Sequence, residues 1–194
     1  PAFYIGNHPA YPTPNFINLP SGYASGRALG ISHDARYIVG FLSDINRSTA
    51  VPFYCIRQSN TTTALQLPAG YPRGIAVDVS NTGVIVGEAY PPNSTTGVPV
   101  RWQNNTSPPQ LMNLPDGYNR AKVLRISNDG ARALGIAYSN SGAAVVLWNY
   151  TNPIIIYTTS NSRVEADMDP TGYTVYILDN GKLYQGQPYP VLFT

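Results

Sequence analysis

The feature that most constrains the fold is a five-residue motif, Leu-Pro-x-Gly-Tyr, that occurs three times at nearly equal spacing. The three copies begin at Leu19, Leu67 and Leu114, which gives spacings of 48 and 47 residues. The motif is typical of a turn, because proline fixes one backbone angle and glycine tolerates left-handed ones. A repeat of this length built from short apolar segments is typical of β-propellers and related β arrays.

A second turn motif follows each Leu-Pro turn after an apolar segment. Its copies begin at Ser32, Ser80 and Ser127, and a degenerate fourth copy begins at Asp169. The next β-rich segment carries a recurring glycine, replaced by isoleucine in the fourth copy: Gly40, Gly87, Gly135 and Ile177. A third segment carries a recurring aromatic residue: Tyr54, Trp102, Trp148 and Tyr184.

These patterns predict an all-β protein, because helical periodicity is absent throughout the chain. We expect one domain at residues 16–194, made of four repeats of about 47 residues that form either a propeller-like ring or a closed β-barrel. Five segments match the last strand of a repeat, one more than four repeats need: Phe16–Leu19, Ala64–Leu67, Gln110–Leu114, Ile154–Thr158 and Pro190–Thr194. A surplus strand would close a ring or pair with a neighbouring molecule.

The combination of Leu-Pro-x-Gly-Tyr, the serine turn, the glycine-bearing strand and the tryptophan resembles the HAF-type repeat of bacterial extracellular proteins. The resemblance covers residues 16–185 and weakens in the fourth copy, where Thr159-Ser160-Asn161 replaces the Gly-Tyr element. It implies a secreted, propeller-like or barrel-like β array. It brings no catalytic residues to this chain.

Residues 1–15 differ from the repeats and are expected to form an extended N-terminal arm. Four prolines favour an extended, stiff chain: Pro1, Pro9, Pro12 and Pro14. The consecutive residues Phe3, Tyr4 and Ile5 would place apolar side chains on both faces of a strand, so both faces need burial. We therefore predict that Ala2–Gly6 is a strand donated to a neighbouring subunit.

Composition excludes several classes of partner. The net charge is +2 with only 11% charged residues, which argues against a nucleic-acid partner. No apolar stretch approaches the ~18–20 residues that span a membrane. The single cysteine, Cys55, cannot form an intramolecular disulfide. The chain starts at Pro1 rather than at methionine, and removal of an export leader would explain that start.

Six Asn-x-Ser/Thr sequons exceed the number that the composition would give by chance, and most lie in polar segments that are typical of exposed loops. The candidate glycosylation sites are Asn46, Asn60, Asn93, Asn104, Asn105 and Asn149. Together with the resemblance, they predict an extracellular or cell-surface protein that carries covalent glycans.

The remaining polar patterns supply no catalytic motif. An arginine follows each turn; we expect each to pair with a neighbouring carboxylate or carbonyl, and the alternative is a contact with anions or acidic glycans: Arg27, Arg73, Arg120 and Arg163. The densest acidic segment contains Glu165, Asp167 and Asp169, whose oxygens could bind calcium. The segment lacks the loop of a specific calcium-binding motif, so we do not predict a calcium site there. No catalytic, metal or cofactor motif is present, so we expect no catalytic residues, no metal and no cofactor.

The sequence therefore predicts a secreted structural glycoprotein that assembles with identical subunits, in a helical arrangement, into an extracellular filament or sheath. The alternative is a carbohydrate-binding or adhesive β-repeat module. A third hypothesis is a hydrolase with an unrecognised carboxylate pair, for which Glu88, Glu165 and Asp167 are the candidates.

Overall fold

The computed structural model describes residues 16–46, 49–188 and 191–193, and within these residues all regular structure is β. Sheet 1 contains β1 (Ser25–Ile31), β2 (Tyr37–Ser43), β3 (Val51–Ile56) and β4 (Thr61–Ala64). Sheet 2 contains β5 (Arg73–Val79), β6 (Ile85–Tyr90), β7 (Val98–Trp102) and β8 (Gln110–Leu111). The prediction of an all-β fold is confirmed, and no helix long and apolar enough to cross a membrane occurs in the described part.

The second half of the chain repeats this organisation. Sheet 3 contains β9 (Arg120–Ile126), β10 (Arg132–Tyr138), β11 (Ala143–Asn149) and β12 (Asn152–Thr159). Sheet 4 contains β13 (Glu165–Met168), β14 (Val175–Asp179), β15 (Lys182–Pro188) and β16 (Val191–Phe193). Each sheet is an antiparallel meander in chain order. Because the strands divide into four separate sheets, the described residues do not form the closed barrel that the sequence left open.

A glycine in the second strand of sheets 1 to 3 lets the first strand approach closely. A Cβ added to Gly87 would lie 2.0 Å from the carbonyl oxygen of Ile75, and Gly40 and Gly135 have equally close backbone neighbours. The first strands of these sheets also carry a bulge, and the glycine pairs with the residue just before it. Sheet 4 pairs without a register shift and tolerates Ile177 at the corresponding position.

The Leu-Pro-x-Gly-Tyr motif forms the same turn at each occurrence. Its glycines have positive φ angles, as the turn requires: +91° at Gly22, +86° at Gly70 and +82° at Gly117. In each copy the tyrosine N–H donates to the proline carbonyl. The spacing of the motif therefore places equivalent turns before β1, β5 and β9.

The second set of turns forms a chain of hydrogen bonds that links neighbouring sheets. Asn81 N–H donates to the carbonyl of Asn128 at 3.0 Å, and Asn128 N–H donates to the carbonyl of Pro170 at 2.7 Å. In sheet 1, Asp34 N–H donates instead to the side chain of Asn81 at 3.1 Å. Pro170 has no N–H, so the backbone series of donors ends at sheet 4.

Each sheet packs face to face against the next one along the chain. Separate apolar clusters fill the spaces between sheets 1 and 2, sheets 2 and 3, and sheets 3 and 4. The fourth cluster joins sheet 1 only to Ile17 and Tyr23 in the segment before β1. Among the described residues no cluster joins sheets 1 and 4. The predicted strand at Phe16–Leu19 is wrong, because this segment is irregular.

Candidate functional site

The candidate functional surfaces are the two faces of the terminal sheets that no other described sheet covers. We call the face of sheet 1 turned away from sheet 2 the outer face of sheet 1. We call the face of sheet 4 turned away from sheet 3 the outer face of sheet 4. Both faces are built from positions that the internal sheets bury.

On the outer face of sheet 1, the side chain of Ile31 is not covered by a neighbouring sheet among the described residues. Ile31 is the last residue of β1 and is 46% exposed. The corresponding last residues of the other first strands are buried between sheets, with exposures of 3%, 6% and 8%: Val79, Ile126 and Met168. Ile31 is therefore an apolar side chain at a packing position without a packing partner among the described residues.

Beside this face lies an apolar pocket of about 300 Å³. Phe16, Leu19, Gly26 and Phe53 are among its lining residues, and Phe16 is 72% exposed. Arg27 is the one charged residue in the lining. In sheets 2 and 3 the preceding sheet covers the corresponding surface, whereas none of the described sheets covers it in sheet 1.

The outer face of sheet 4 carries a second apolar surface. Tyr176 and Leu178 are about 40% exposed, and Leu183 is 70% exposed. Leu178 pairs with Leu183 across the sheet, so the three side chains form one patch. Their counterparts in sheet 3 are fully buried against sheet 4: Leu134, Ile136 and Val145.

Carboxylates accompany this patch. Glu165 and Asp167 alternate on β13 and lie on the same exposed face. Asp167 forms a salt bridge to Arg125 of sheet 3, with 3.0 Å between Arg125 Nε and Asp167 Oδ1. Asp169 lies apart from them in a turn, where it accepts the N–H groups of Tyr173 and Thr174. The described residues contain no group of His, Cys, Asp and Glu side chains that could hold a metal ion.

The recurring arginines occupy two different positions. Arg73 and Arg120 begin β5 and β9 and stack on Tyr90 and Tyr138, at 5.7 and 4.9 Å from the ring centroids. Arg73 also donates to the carbonyl of Ser94 at 2.7 Å. Arg163 precedes β13 at a corresponding place, whereas Arg27 lies two residues further along its strand. The four side chains are therefore not one symmetric set.

The asparagines of the sequons differ in exposure and in the hydrogen bonds of their side chains. Asn46, Asn93, Asn104 and Asn149 are exposed, whereas Asn60 and Asn105 are partly buried. The Asn60 amide donates to the carbonyl of Phe16 at 2.8 Å, and its oxygen accepts the N–H of Asn18 at 3.2 Å. Asn60 thus holds the segment that enters sheet 1, a role that the sequon pattern did not reveal.

In sheets 2 and 3 a tryptophan holds the segment that enters the sheet. The indole N–H of Trp102 donates to the carbonyl of Gln66 at 2.7 Å, and that of Trp148 donates to Asn113 at 2.8 Å. In sheet 1 the same register position holds Cys55, so Tyr54 is not the counterpart that the sequence suggested. Tyr54 faces sheet 2 and stacks on Tyr37, because a shift of one residue turns a side chain to the other face. In sheet 4 the position holds Gly186, not Tyr184.

Two carboxylates between sheets were not identified as structural from sequence. Asp78 accepts the N–H of Val79 at 2.9 Å and the N–H of Ile126 in sheet 3 at 3.0 Å. Burial raises the pKa of Asp78, and these hydrogen bonds only partly oppose that effect. Glu88 accepts the hydroxyl of Tyr90 at 2.7 Å beside Lys122. Burial raises the pKa of Glu88 as well.

We expect Glu88→Gln to be increasingly favourable to stability as the pH rises. The folded-state pKa of Glu88 lies above its ordinary value of 4.5, so the folded state loses stability as pH rises through that window. Glutamine keeps an acceptor for Tyr90 and does not titrate. Urea midpoints of wild type and variant at pH 4 and pH 8 measure this effect. A difference that favours wild type more at pH 8 than at pH 4 contradicts it.

Comparison with known proteins supports the fold alone. No known protein family and no curated protein matches the sequence. A prolyl endopeptidase matches 90% of the chain at 11% identity and a TM-score of 0.62, over 28% of its own length. TolB from Acinetobacter baumannii matches 93% at 12% identity and a TM-score of 0.58, over 45% of its length.

A chain of a nidogen/laminin complex matches 81% at 10% identity and a TM-score of 0.51, over 60% of its length. The matched structures are β-propeller-type folds. The chain therefore spans less than two thirds of each of these proteins. The likeness to the HAF-type repeat stays a prediction.

Proposed function

We propose that this protein is a secreted structural glycoprotein subunit that assembles with copies of itself into an extracellular filament or sheath. The N-terminal segment Ala2–Gly6 would be donated to a neighbouring subunit. Phe3, Tyr4 and Ile5 lie outside the described residues. We further infer that the four sheets are four copies of one repeat of about 47 residues in a propeller-like arrangement.

The observation that carries the proposal is the place where the arm joins the body. Phe16, the first described residue, is 72% exposed and lines the apolar pocket at the outer face of sheet 1. The arm would therefore start beside an exposed apolar surface, which a second subunit could bury. Exposed apolar patches of this kind mark interaction surfaces.

Glycans on the exposed sequons would suit a chain with few charges, since sugars supply solubility that charged side chains usually provide. Asn104 is an example. It is exposed, and its oxygen accepts the N–H of Thr106 at 2.9 Å and of Ser107 at 2.8 Å.

A carbohydrate-binding module is the alternative, and one observation favours it. Arg73 lines an open depression of about 520 Å³ together with Thr49, Asn93 and Ser94. A guanidinium beside polar groups suits an acidic sugar. In this alternative the purified protein binds a polysaccharide as a monomer. The proposal assigns no catalytic activity.

Deletion of residues 1–6 tests the proposal. We expect a folded subunit that no longer forms fibres, because the deletion removes three large apolar side chains without touching the sheets. Electron microscopy of wild type and deletion variant, with circular dichroism as the folding control, measures both properties. A matched control replaces Asn7–Ala10 with a Gly/Ser segment of equal length, which keeps Phe3, Tyr4 and Ile5.

Fibres of the same length from the deletion variant would contradict the donated strand. A wild-type protein that stays monomeric at every concentration and binds a polysaccharide would favour the alternative. The control variant is expected to assemble, with weaker affinity from the more flexible connection.

A further inference from the structure

We propose that the outer face of sheet 4 in one copy packs against the outer face of sheet 1 in the next copy. The contact runs head to tail and repeats between molecules the packing of successive sheets within one molecule. This inference rests on the proposed self-assembly and names the surfaces that perform it.

Both faces carry apolar side chains at positions that internal sheets bury. Ile31 on sheet 1 is 46% exposed, whereas its counterparts in sheets 2 to 4 are at most 8% exposed. Leu183 on sheet 4 is 70% exposed, whereas its counterpart in sheet 3, Val145, is fully buried. Each terminal sheet thus has apolar residues of the kind that are buried between sheets, and no described residue buries them.

The two faces are of different kinds, and this decides the geometry of the contact. At each internal boundary, the face that contains the Leu183 position of one sheet meets the face that contains the Ile31 position of the next. Sheet 4 offers the first kind and sheet 1 offers the second. A contact between unlike faces is heterologous, so it either closes into a ring or continues as a helical filament.

The charges of the two faces are compatible with a second copy as the partner. The outer face of sheet 4 carries Glu165 and Asp167, and the pocket at sheet 1 has no carboxylate in its lining. Arg27 occupies the position of Glu165 in its own strand, so its side chain lies on the face of sheet 1 that is turned to sheet 2. The pocket lining therefore offers no carboxylate that would repel the two on sheet 4.

An internal hydrogen bond supplies a template for the contact. The Oδ1 atom of Asp78 accepts the N–H of the next residue, and its Oδ2 atom accepts the N–H of Ile126 in the next sheet. Asp167 repeats the first of these bonds, accepting the N–H of Met168 at 2.9 Å. The proposed contact gives Asp167 a partner of the second kind, the N–H of Ile31 in the next copy.

The arm and the face contact are compatible, because Phe16 lies at the same outer face of sheet 1. The arm of one copy therefore begins at the proposed contact between its own sheet 1 and sheet 4 of the neighbouring copy. A strand donated across that boundary would tether two sheets that already pack together. Either contact would strengthen the other by raising the local concentration of its partner.

The test uses two variants of the full chain, each blocking one face. Leu183→Glu blocks sheet 4 and Ile31→Glu blocks sheet 1, and Leu111→Glu, at a 45% exposed position of sheet 2, is the matched control. Circular dichroism and thermal unfolding verify folding. Sedimentation velocity then measures assembly of each variant alone and of an equimolar mixture.

We expect each blocked variant to associate at least about tenfold more weakly than wild type, and the control to match wild type. The mixture is expected to form a one-to-one dimer that does not grow, because one open pair of unlike faces remains. Blocked variants that assemble like wild type overturn the inference, and so does a mixture that stays as monomeric as its components.

Removal of the acceptor at Asp167 keeps the inference falsifiable if a glutamate at Ile31 prevents folding. Asp167→Ala is expected to weaken association, because it removes the proposed acceptor for the N–H of Ile31 in the next copy. Association of the folded Asp167→Ala chain at wild-type strength contradicts the pairing of the two faces.

The outcomes separate this inference from the proposed function. Loss of fibres on deletion of residues 1–6, with normal fibres from Leu183→Glu, leaves the donated strand standing and overturns the face contact. A closed particle of two copies that either glutamate variant disrupts supports the face contact and contradicts the filament. Capture of a different protein at sheet 4, with no self-association, overturns the second copy as partner.

Discussion

Replacing Gly87 with alanine is expected to lower the free energy of unfolding by about 3 kcal/mol, at the upper end of the usual cost of overpacking. The added Cβ would lie 2.0 Å from the carbonyl oxygen of Ile75 and 2.9 Å from the Cα of Ala76. Both neighbours are backbone atoms of β5, so no side-chain rotation can relieve the contact. The first strand of sheet 2 would have to move away from its partner.

Thermal unfolding by circular dichroism measures this effect, with an expected decrease in Tm of about 6–12 °C for a chain of this size. Gly70→Ala is the matched control. Its φ angle is +86° but open space surrounds the added methyl, so only backbone strain of about 1 kcal/mol is expected. Equal effects of the two substitutions would show that the close approach of β5 does not limit stability.

Trp148→Ala is expected to be the most destabilising substitution of a side chain, by about 3–5 kcal/mol. The indole is fully buried between sheets 2 and 3 and also anchors the carbonyl of Asn113 through its N–H. The substitution leaves a cavity and a buried carbonyl without its donor. Two neighbouring sheets lose part of their common core.

Urea unfolding of the alanine and phenylalanine variants separates the two contributions. Trp148→Phe keeps most of the ring volume and loses the N–H, so we expect about 1–3 kcal/mol from the unpaired carbonyl. Ile45→Ala, at an 83% exposed position, is expected to change stability by less than about 0.5 kcal/mol. An alanine variant no less stable than the phenylalanine variant would contradict the importance of the packed ring.

The turns and strand positions could be predicted because they depend on local chemistry. Gly22, Gly70 and Gly117 adopt the left-handed angles that glycine permits, and the spacing of these turns indicates where sheets 1 to 3 begin. The glycines at Gly40, Gly87 and Gly135 were also visible as a pattern. Their cause was not, since a close approach between strands is a property of the paired sheet.

Positions that depend on register or on neighbours could not be predicted. The aromatic column placed Tyr54 beside Trp102, but the register puts Cys55 there and turns Tyr54 to the opposite face. Asn60 looked like a sequon, whereas its hydrogen bonds to Phe16 and Asn18 depend on where the chain enters sheet 1. The exposure of Ile31 likewise depends on which residues pack against sheet 1, and no local pattern records that.

Within the described part of the chain, sheets 2 and 3 pack against other sheets on both faces and sheets 1 and 4 on one face, which has a consequence for how the molecule unfolds locally. In a row where each unit contacts only its neighbours, local stability is a sum of nearest-neighbour contributions. The terminal sheets have one such contribution each, so amide exchange and proteolytic nicking should begin there. Joining two subunits end to end turns two terminal sheets into interior ones. Assembly would thus protect the weakest parts of every subunit except the last at each tip of the polymer.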